Sequence, residues 1–159
     1  MSIEMQAVGR VTAARVDAAD DFWGGLQSRI TLADAFPPES LQGLEQFSHV
    51  EIVFHFHAVE PSKVVTAARH PRSNTAWPAV GIFAQRGKNR PNRIGTTICR
   101  LLRVDDRSLW VEGLDAIDGT PVLDIKPVMV EFLPREPVRQ PPWSHELMRR
   151  YWLDQAVRT

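Results

Sequence analysis

The sequence predicts a mainly β chain: a single compact β-barrel-like domain with short helices and a C-terminal amphipathic helix. Three observations predict it. Short runs rich in β-branched and aromatic residues recur between Gly, Pro and Asp turn signals. The strand–helix–strand alternation and Gly-rich fingerprint of a Rossmann-type domain are absent. The only extended helical pattern follows Pro141-Pro142.

Taken in order, Val8 to Val16 is a first strand, bounded by Gly9 and the acidic turn Asp17 to Asp21. Gln27 to Leu32 is a second. Pro37-Pro38 breaks the chain, and Leu41, Leu44 and Phe47 suit one or two helical turns within Glu39 to Phe47. His49 to Ala58 is the clearest strand. Val50, Ile52, Phe54 and Phe56 fall on one face, and His49, Glu51, Val53, His55 and His57 on the other. Glu60 to Pro78 is polar and proline-bearing, and reads as a long loop. Val80 to Ala84, Gly95 to Val104, Ser108 to Leu114 and Pro121 to Phe132 are further strands, with a tight-turn signal at Asp118-Gly119. Beyond Pro141-Pro142, Ser144 is a candidate N-cap for a helix. That helix aligns Leu147 with Tyr151, and Met148 with Trp152 and Ala156.

The bulk numbers fix little else. A length of 159 residues fits one domain, and 43% hydrophobic with 24% charged is ordinary for a soluble globular chain. Lys+Arg and Asp+Glu both total 19, so any electrostatic argument must be local. The single cysteine, Cys99, allows no intrachain disulfide and no thiolate zinc site, which favours a reducing cytoplasm. No signal peptide is expected, and no apolar run reaches membrane-spanning length, so no membrane partner is expected.

Gly81 to Pro127 carries the chemistry. Arg86, Lys88, Arg90, Arg93, Arg100 and Arg103 occur without an intervening acid, and Asp115, Asp118 and Asp124 follow. Such a run is ordinarily a solvated face. Here Pro91, Asn89 and Asn92 shape the segment Arg86 to Gly95 into an ordered turn, which favours a binding role. In the acidic half, alternation from Pro121 places Val122, Asp124 and Lys126 on one face and Leu123 and Ile125 on the other. His55 and His57 form a His-x-His pair, with Glu51 nearby. That pair could ligate a metal or simply hydrogen-bond within a semi-polar strand face. Cys99 lies in a strand pattern with no base near it and reads as a structural thiol.

Two segments, G-I-F-A-Q-R-G-K-N-R-P-N-R-I-G from Gly81 and L-D-A-I-D-G-T-P-V-L-D-I-K-P from Leu114, resemble the TsaA/TrmO-like family. These are S-adenosylmethionine-dependent tRNA methyltransferases. Gly43 to His57 resembles the family's preceding block, and the likeness runs from about Val8 to Phe132. It implies a β-barrel unlike the common methyltransferase fold, spanning residues 1–135, with residues 136–159 as a Pro-rich connection and helix. It also implies a homodimer binding S-adenosyl-L-methionine and tRNA, and N6-methylation of threonylcarbamoyladenosine next to the anticodon. By motif position, cofactor contacts would fall on His57, Ala58, Arg86, Thr96, Leu114, Asp115, Ala116, Ile117 and Asp118.

On that reading, Arg86 suits the donor's carboxylate or its adenine face. Asp115 or Asp118 suits its ammonium or ribose hydroxyls, and the backbone of Leu114 and Ala116 its adenine edge. His57 is the candidate general base, because imidazole is the side chain that ordinarily titrates near neutrality. Lys88, Arg90, Arg93, Arg100 and Arg103 are candidate tRNA phosphate contacts, and no metal is assigned. Two further readings are a non-catalytic S-adenosylmethionine or nucleotide-binding module, and a small metal enzyme using His55 and His57.

The chain departs from the family pattern at three places. Arg93 stands where the second proline of R-P-N-P-I-G is usual, which predicts a looser turn. Asp21-Phe22-Trp23-Gly24 stands where many members have Pro-Arg-Gln, and Val128 where an aromatic residue is usual.

Overall fold

The computed structural model describes residues 1–154. Among these, β1 is Gly9–Ala13, β2 Gln27–Leu32, β3 His49–His55, β4 Ala68–Arg69 and β5 Val80–Gly81. β6 is Ile94–Asp105, β7 Ser108–Glu112 and β8 Pro121–Pro127, and the helix α1 is Pro142–Met148. Six strands close into an antiparallel barrel in the order β1-β2-β7-β6-β3-β8. β4 and β5 pair as a separate ribbon. Closure rests on a short contact, Gly9 opposite Val122 and Arg10 opposite Pro121, and it leaves no barrel strand as a free edge.

The interior is the apolar face read from the sequence. Val50, Ile52 and Phe54 of β3 meet Ile30 and Leu32 of β2, Leu109 and Val111 of β7, and Val122 of β8. Burying each such side chain contributes roughly 1.5–3 kcal/mol. Gly95, at the start of β6, faces this core. It leaves room for the edge-to-face pair Phe54–Phe56, whose centroids are 5.3 Å apart.

One end of the barrel gathers the C-terminal ends of β1, β3 and β7 and the N-terminal ends of β2, β6 and β8. The connections 14–26, 56–93 and 113–120 all emerge there. Every sequence candidate except Arg100 and Arg103 lies on these connections or at the strand ends beside them.

Several elements differ from the sequence expectation. β3 stops at His55 because His57 N–H turns back to the His55 carbonyl at 2.7 Å. His57 and Ala58 therefore sit in an exposed turn, and the His-x-His pair is not on one strand face. The supposed strand Val80 to Ala84 is strand only at β5, then 3-10 from Ile82. The loop 60–78 contains β4 and 3-10 turns at Pro61–Lys63 and Pro71–Ser73. β8 ends at Pro127, where the next residue's N–H bonds the His49 carbonyl.

β8 also bulges. Val53 opposes Asp124 while Phe54 opposes Val122, so Leu123 is the extra residue. The bulge puts Val122 and Ile125 on the core side, separating Val122 from Asp124 and Lys126. Asp118-Gly119 does turn, but β7 and β8 are not neighbours, so it is no hairpin. The helix is shorter than expected and starts after Pro141, which offers no side-chain cap, with Pro142 at its first turn. Ser144 lies inside the helix, and Tyr151 and Trp152 lie beyond its end. Ala156 is outside the described residues.

A Cβ at residue 95 would stand 2.6 Å from the Phe54 ring and 2.8 Å from Phe56. Gly95→Ala is therefore expected to destabilise the barrel by about 1–3 kcal/mol, measured by urea unfolding.

Candidate functional site

The site is built on a mismatch in strand length. β6 begins at Ile94, but its pairing with β7 begins only at Arg100 opposite Glu112. Residues 94–99 thus lack a β7 partner, and the connection 113–120 folds into the gap. Leu114 and Ala116 fill it with buried side chains, 1% and 3% exposed. Arg86 Nη2 donates to the free Thr96 carbonyl at 2.7 Å, standing in for a missing strand. Thr97 points inward beside Gly95 and Cys99, and its hydroxyl donates to Asp115 Oδ1. The Tyr151 hydroxyl donates to Asp115 Oδ2. Burial, then the charge and hydrogen bond of Asp115, push the Tyr151 phenol well up, so it keeps its proton. Burial, then Asp115, likewise push the Cys99 thiol up, which leaves it a structural residue.

Beside this notch Asp118 is exposed. It accepts from Ala13 N–H at 3.0 Å, and its own N–H donates to the Arg15 carbonyl at 2.8 Å. Ile117 closes the turn by accepting from Thr120 N–H at 3.2 Å. His57 is also exposed, with Nε2 near Gly119, whose carbonyl accepts from Arg10 at 2.7 Å. His55 behind it is held below the ordinary imidazole range by burial, then by the charges of Arg93 and His57. Thr96 Oγ1 donates to Glu51 at 2.9 Å on the outer face. Among the described residues no three His, Cys, Asp or Glu side chains cluster to hold a metal.

The cationic run does not form one patch. Arg90 donates to the Gln85 carbonyl and Arg93 to the Val59 carbonyl, both at 2.7 Å, so these two guanidinia tie the loop together. Lys88 reaches the Ala18 carbonyl at 3.2 Å and Asp20 at 3.5 Å. Arg100 pairs with Glu112 at 3.7 Å. Arg103 covers the Trp110 ring at 3.5 Å, toward the other end of the long strand β6. The expected loosening at Arg93 is not observed. Arg93 has φ +52 and its N–H closes the turn onto the Arg90 carbonyl at 3.0 Å. Proline can do neither.

Sequence reasoning missed Thr97, Tyr151 and the N-terminal clasp. Thr97 was findable, since alternation from Gly95 points it inward. Tyr151 was not, because its partner is 36 residues away. In the clasp, Arg72 grips Asp21 with both terminal nitrogens at 2.8 and 3.0 Å, and buried Arg15 lies 3.8 Å over the Trp23 ring. Gln85 is buried and pins the β4–β5 ribbon by donating to the Arg69 and Val80 carbonyls.

Residues 20–132 match the family described as the tRNA-methyltransferase O N-terminal domain. The chain belongs to this family. It is 43% identical over 105 residues to the human tRNA (adenine(37)-N6)-methyltransferase, covering 66% of this chain and 23% of the relative. It is 46% identical over 89 residues to a putative S-adenosylmethionine-dependent methyltransferase, RcsF, of Pseudomonas aeruginosa, covering 56% of this chain and 38% of the relative. A crystal structure of TrmO from Pseudomonas aeruginosa superposes with TM-score 0.72 at 29% identity, over 90% of this chain and 62% of that one. The chain therefore spans well under two thirds of these curated relatives. The tRNA-methyltransferase O N-terminal match covers β2 to β8 and ends before α1.

Although the motif resemblance leads one to expect proline at position 93, Arg93→Pro is expected to destabilise this chain by about 2 kcal/mol in urea unfolding. It removes one backbone hydrogen bond and forbids the observed φ.

Proposed function

We propose that the chain is the catalytic domain of an S-adenosyl-L-methionine-dependent tRNA methyltransferase that modifies N6 of threonylcarbamoyladenosine next to the anticodon. The observation that carries the proposal is the notch beside β6. There a guanidinium, Arg86, and a carboxylate, Asp115, are both held in place by neighbouring groups. This donor set fits a zwitterionic amino-acid group, with Arg86 toward a carboxylate and Asp115 toward an ammonium. Family membership and the activities assigned to the relatives support the same reading.

S-adenosyl-L-methionine, when bound, supplies an electrophilic methyl group on sulfur. This chain's part is positioning and proton removal. Arg86 and Asp115 orient the amino-acid end, and the 114–118 backbone lies where the nucleoside end can be read. His57, exposed on the turn beside Gly119, accepts the proton from the N6 nitrogen. Ala58 follows it on that turn, and Thr96 supplies the carbonyl that fixes Arg86. Lys88 and the rim around Arg90 and Arg93 face the RNA phosphates, while Arg100 and Arg103 act further along the barrel wall.

We propose a homodimer as the working form, supported by the exposed apolar arm after β8, where Val130 and Phe132 are 77% and 86% exposed. We propose a cytoplasmic location, supported by the proposed tRNA substrate and by the presence of a single, buried cysteine, Cys99. Among the described residues no helix is long and apolar enough to cross a membrane.

Incubation with methyl-labelled S-adenosylmethionine and tRNA is expected to move label into the tRNA. Donor binding without transfer would instead indicate a binding module. In the same assay, at saturating donor, His57→Ala is expected to lower turnover about 100-fold or more. Unchanged turnover would remove His57 as the base.

A further inference from the structure

The family match stops at residue 132, yet the side chain that completes the notch comes from beyond it. After β8 an exposed arm leads to α1. Trp77 Nε1 donates to Glu146 at 2.8 Å and anchors that helix on the 56–93 connection. The chain then runs alongside residues 22–24. Phe22 N–H donates to the Arg150 carbonyl at 3.1 Å, Trp23 N–H to that of Tyr151 at 2.8 Å and Gly24 N–H to that of Leu153 at 3.3 Å. The fit needs glycine at 24, because a Cβ there would stand 2.0 Å from the Trp152 carbonyl oxygen. Held this way, Tyr151 delivers its hydroxyl to Asp115 Oδ2, while Thr97 holds Oδ1.

We propose that Tyr151 is a positioning residue of the methyl-donor site, carried in by the C-terminal segment to fix the Asp115 carboxylate toward the cationic amino-acid end of the donor. The inference rests on the methyl-donor reading above. Three features favour positioning over obstruction. Each Asp115 oxygen accepts one hydroxyl and keeps acceptor capacity for an ammonium. Tyr151 remains a donor because its phenol is held protonated. Arg86 and Asp115 are anchored on adjacent residues, the Thr96 carbonyl and the Thr97 hydroxyl, which brings the two ends of a zwitterion site together. The segment Asp21 to Gly24, which departs from the family pattern, is then explained: it forms the rail on which the C-terminal segment runs.

Two probes separate the possibilities in calorimetric titrations of the full chain. S-adenosylhomocysteine carries the amino-acid end and 5′-methylthioadenosine lacks it. Tyr151→Phe is expected to weaken the first about ten-fold, the loss of one hydrogen bond to a charged group, and to leave the second unchanged. Gly24→Ala, which displaces the segment without touching the phenol, is expected to give the same selective loss. Equal loss of both probes, unchanged binding of both, or tighter binding of S-adenosylhomocysteine by Tyr151→Phe overturns the proposal. If the unsubstituted protein binds neither probe, the methyl-donor reading itself fails, and that result is seen before any variant is made.

Discussion

A strand that outruns its neighbour leaves main-chain groups that must find partners elsewhere. β6 does this over residues 94–99, and the rest of the site follows from how the gap is filled. An additional strand would have sealed the barrel there and left no chemistry. Instead a side chain, Arg86, takes the Thr96 carbonyl, and a non-strand connection brings Asp115 in beside Thr97. The same geometry that satisfies the backbone therefore sets a fixed cation and a fixed anion at one place. Preorganisation of this kind lowers the cost of ordering the site when a ligand arrives.

The connections around the gap are mutually braced. The N-terminal connection holds the 56–93 connection through Asp21 and Arg72, and holds the Arg-rich turn through Asp20 and Lys88. It also lies along the C-terminal segment by three main-chain bonds. Arg72 and Asp21 are both partly buried, so their two-point contact is worth more than a typical exposed pair, although still modest. A few directional contacts thus add to the apolar burial of Trp23, Val59, Ile82 and Leu114 in ordering the long connections.

What the sequence made legible follows from range. The face assignment on β3 was readable because alternation is a local property, and Val50, Ile52 and Phe54 are indeed the buried ones. β2 matched its expected bounds for the same reason. The bulge at Leu123 and the role of Tyr151 depend on partners distant in sequence, so no window of residues contains them, whereas the end of β3 is a local turn, His57 N–H to the His55 carbonyl, that no turn-forming residue type marks. Arg86, Asp115 and Asp118 stood out by charge pattern, and motif resemblance added Leu114, Ala116 and Ile117. Their spacing alone does not reveal that Thr96 and Thr97 link them. Arg93 is the converse case. A motif-based expectation of looseness gave way to a backbone conformation that proline cannot adopt, a matter of φ and one N–H rather than of charge.

Zero formal net charge sits comfortably with an RNA partner once the acceptors of each guanidinium are considered. A carboxylate partner cancels a positive charge, whereas a carbonyl partner fixes it in place and leaves it nearly whole. Arg10, Arg86, Arg90 and Arg93, all at the site end, donate to carbonyls of Gly119, Thr96, Gln85 and Val59. Arg100, Arg103 and Arg107, along the wall and at the far end, pair with Glu112, Asp105 and Asp34. Cations held by carbonyls therefore differ from carboxylate-paired ones in how much field they project, and the site end holds both kinds, since Lys63, Arg72 and Lys88 pair there with Glu60, Asp21 and Asp20. Four carbonyl-held guanidinia thus stand at the end that also holds Asp115 and His57. An RNA bound at that end, as proposed above, would meet charges already oriented, and salt would screen that attraction.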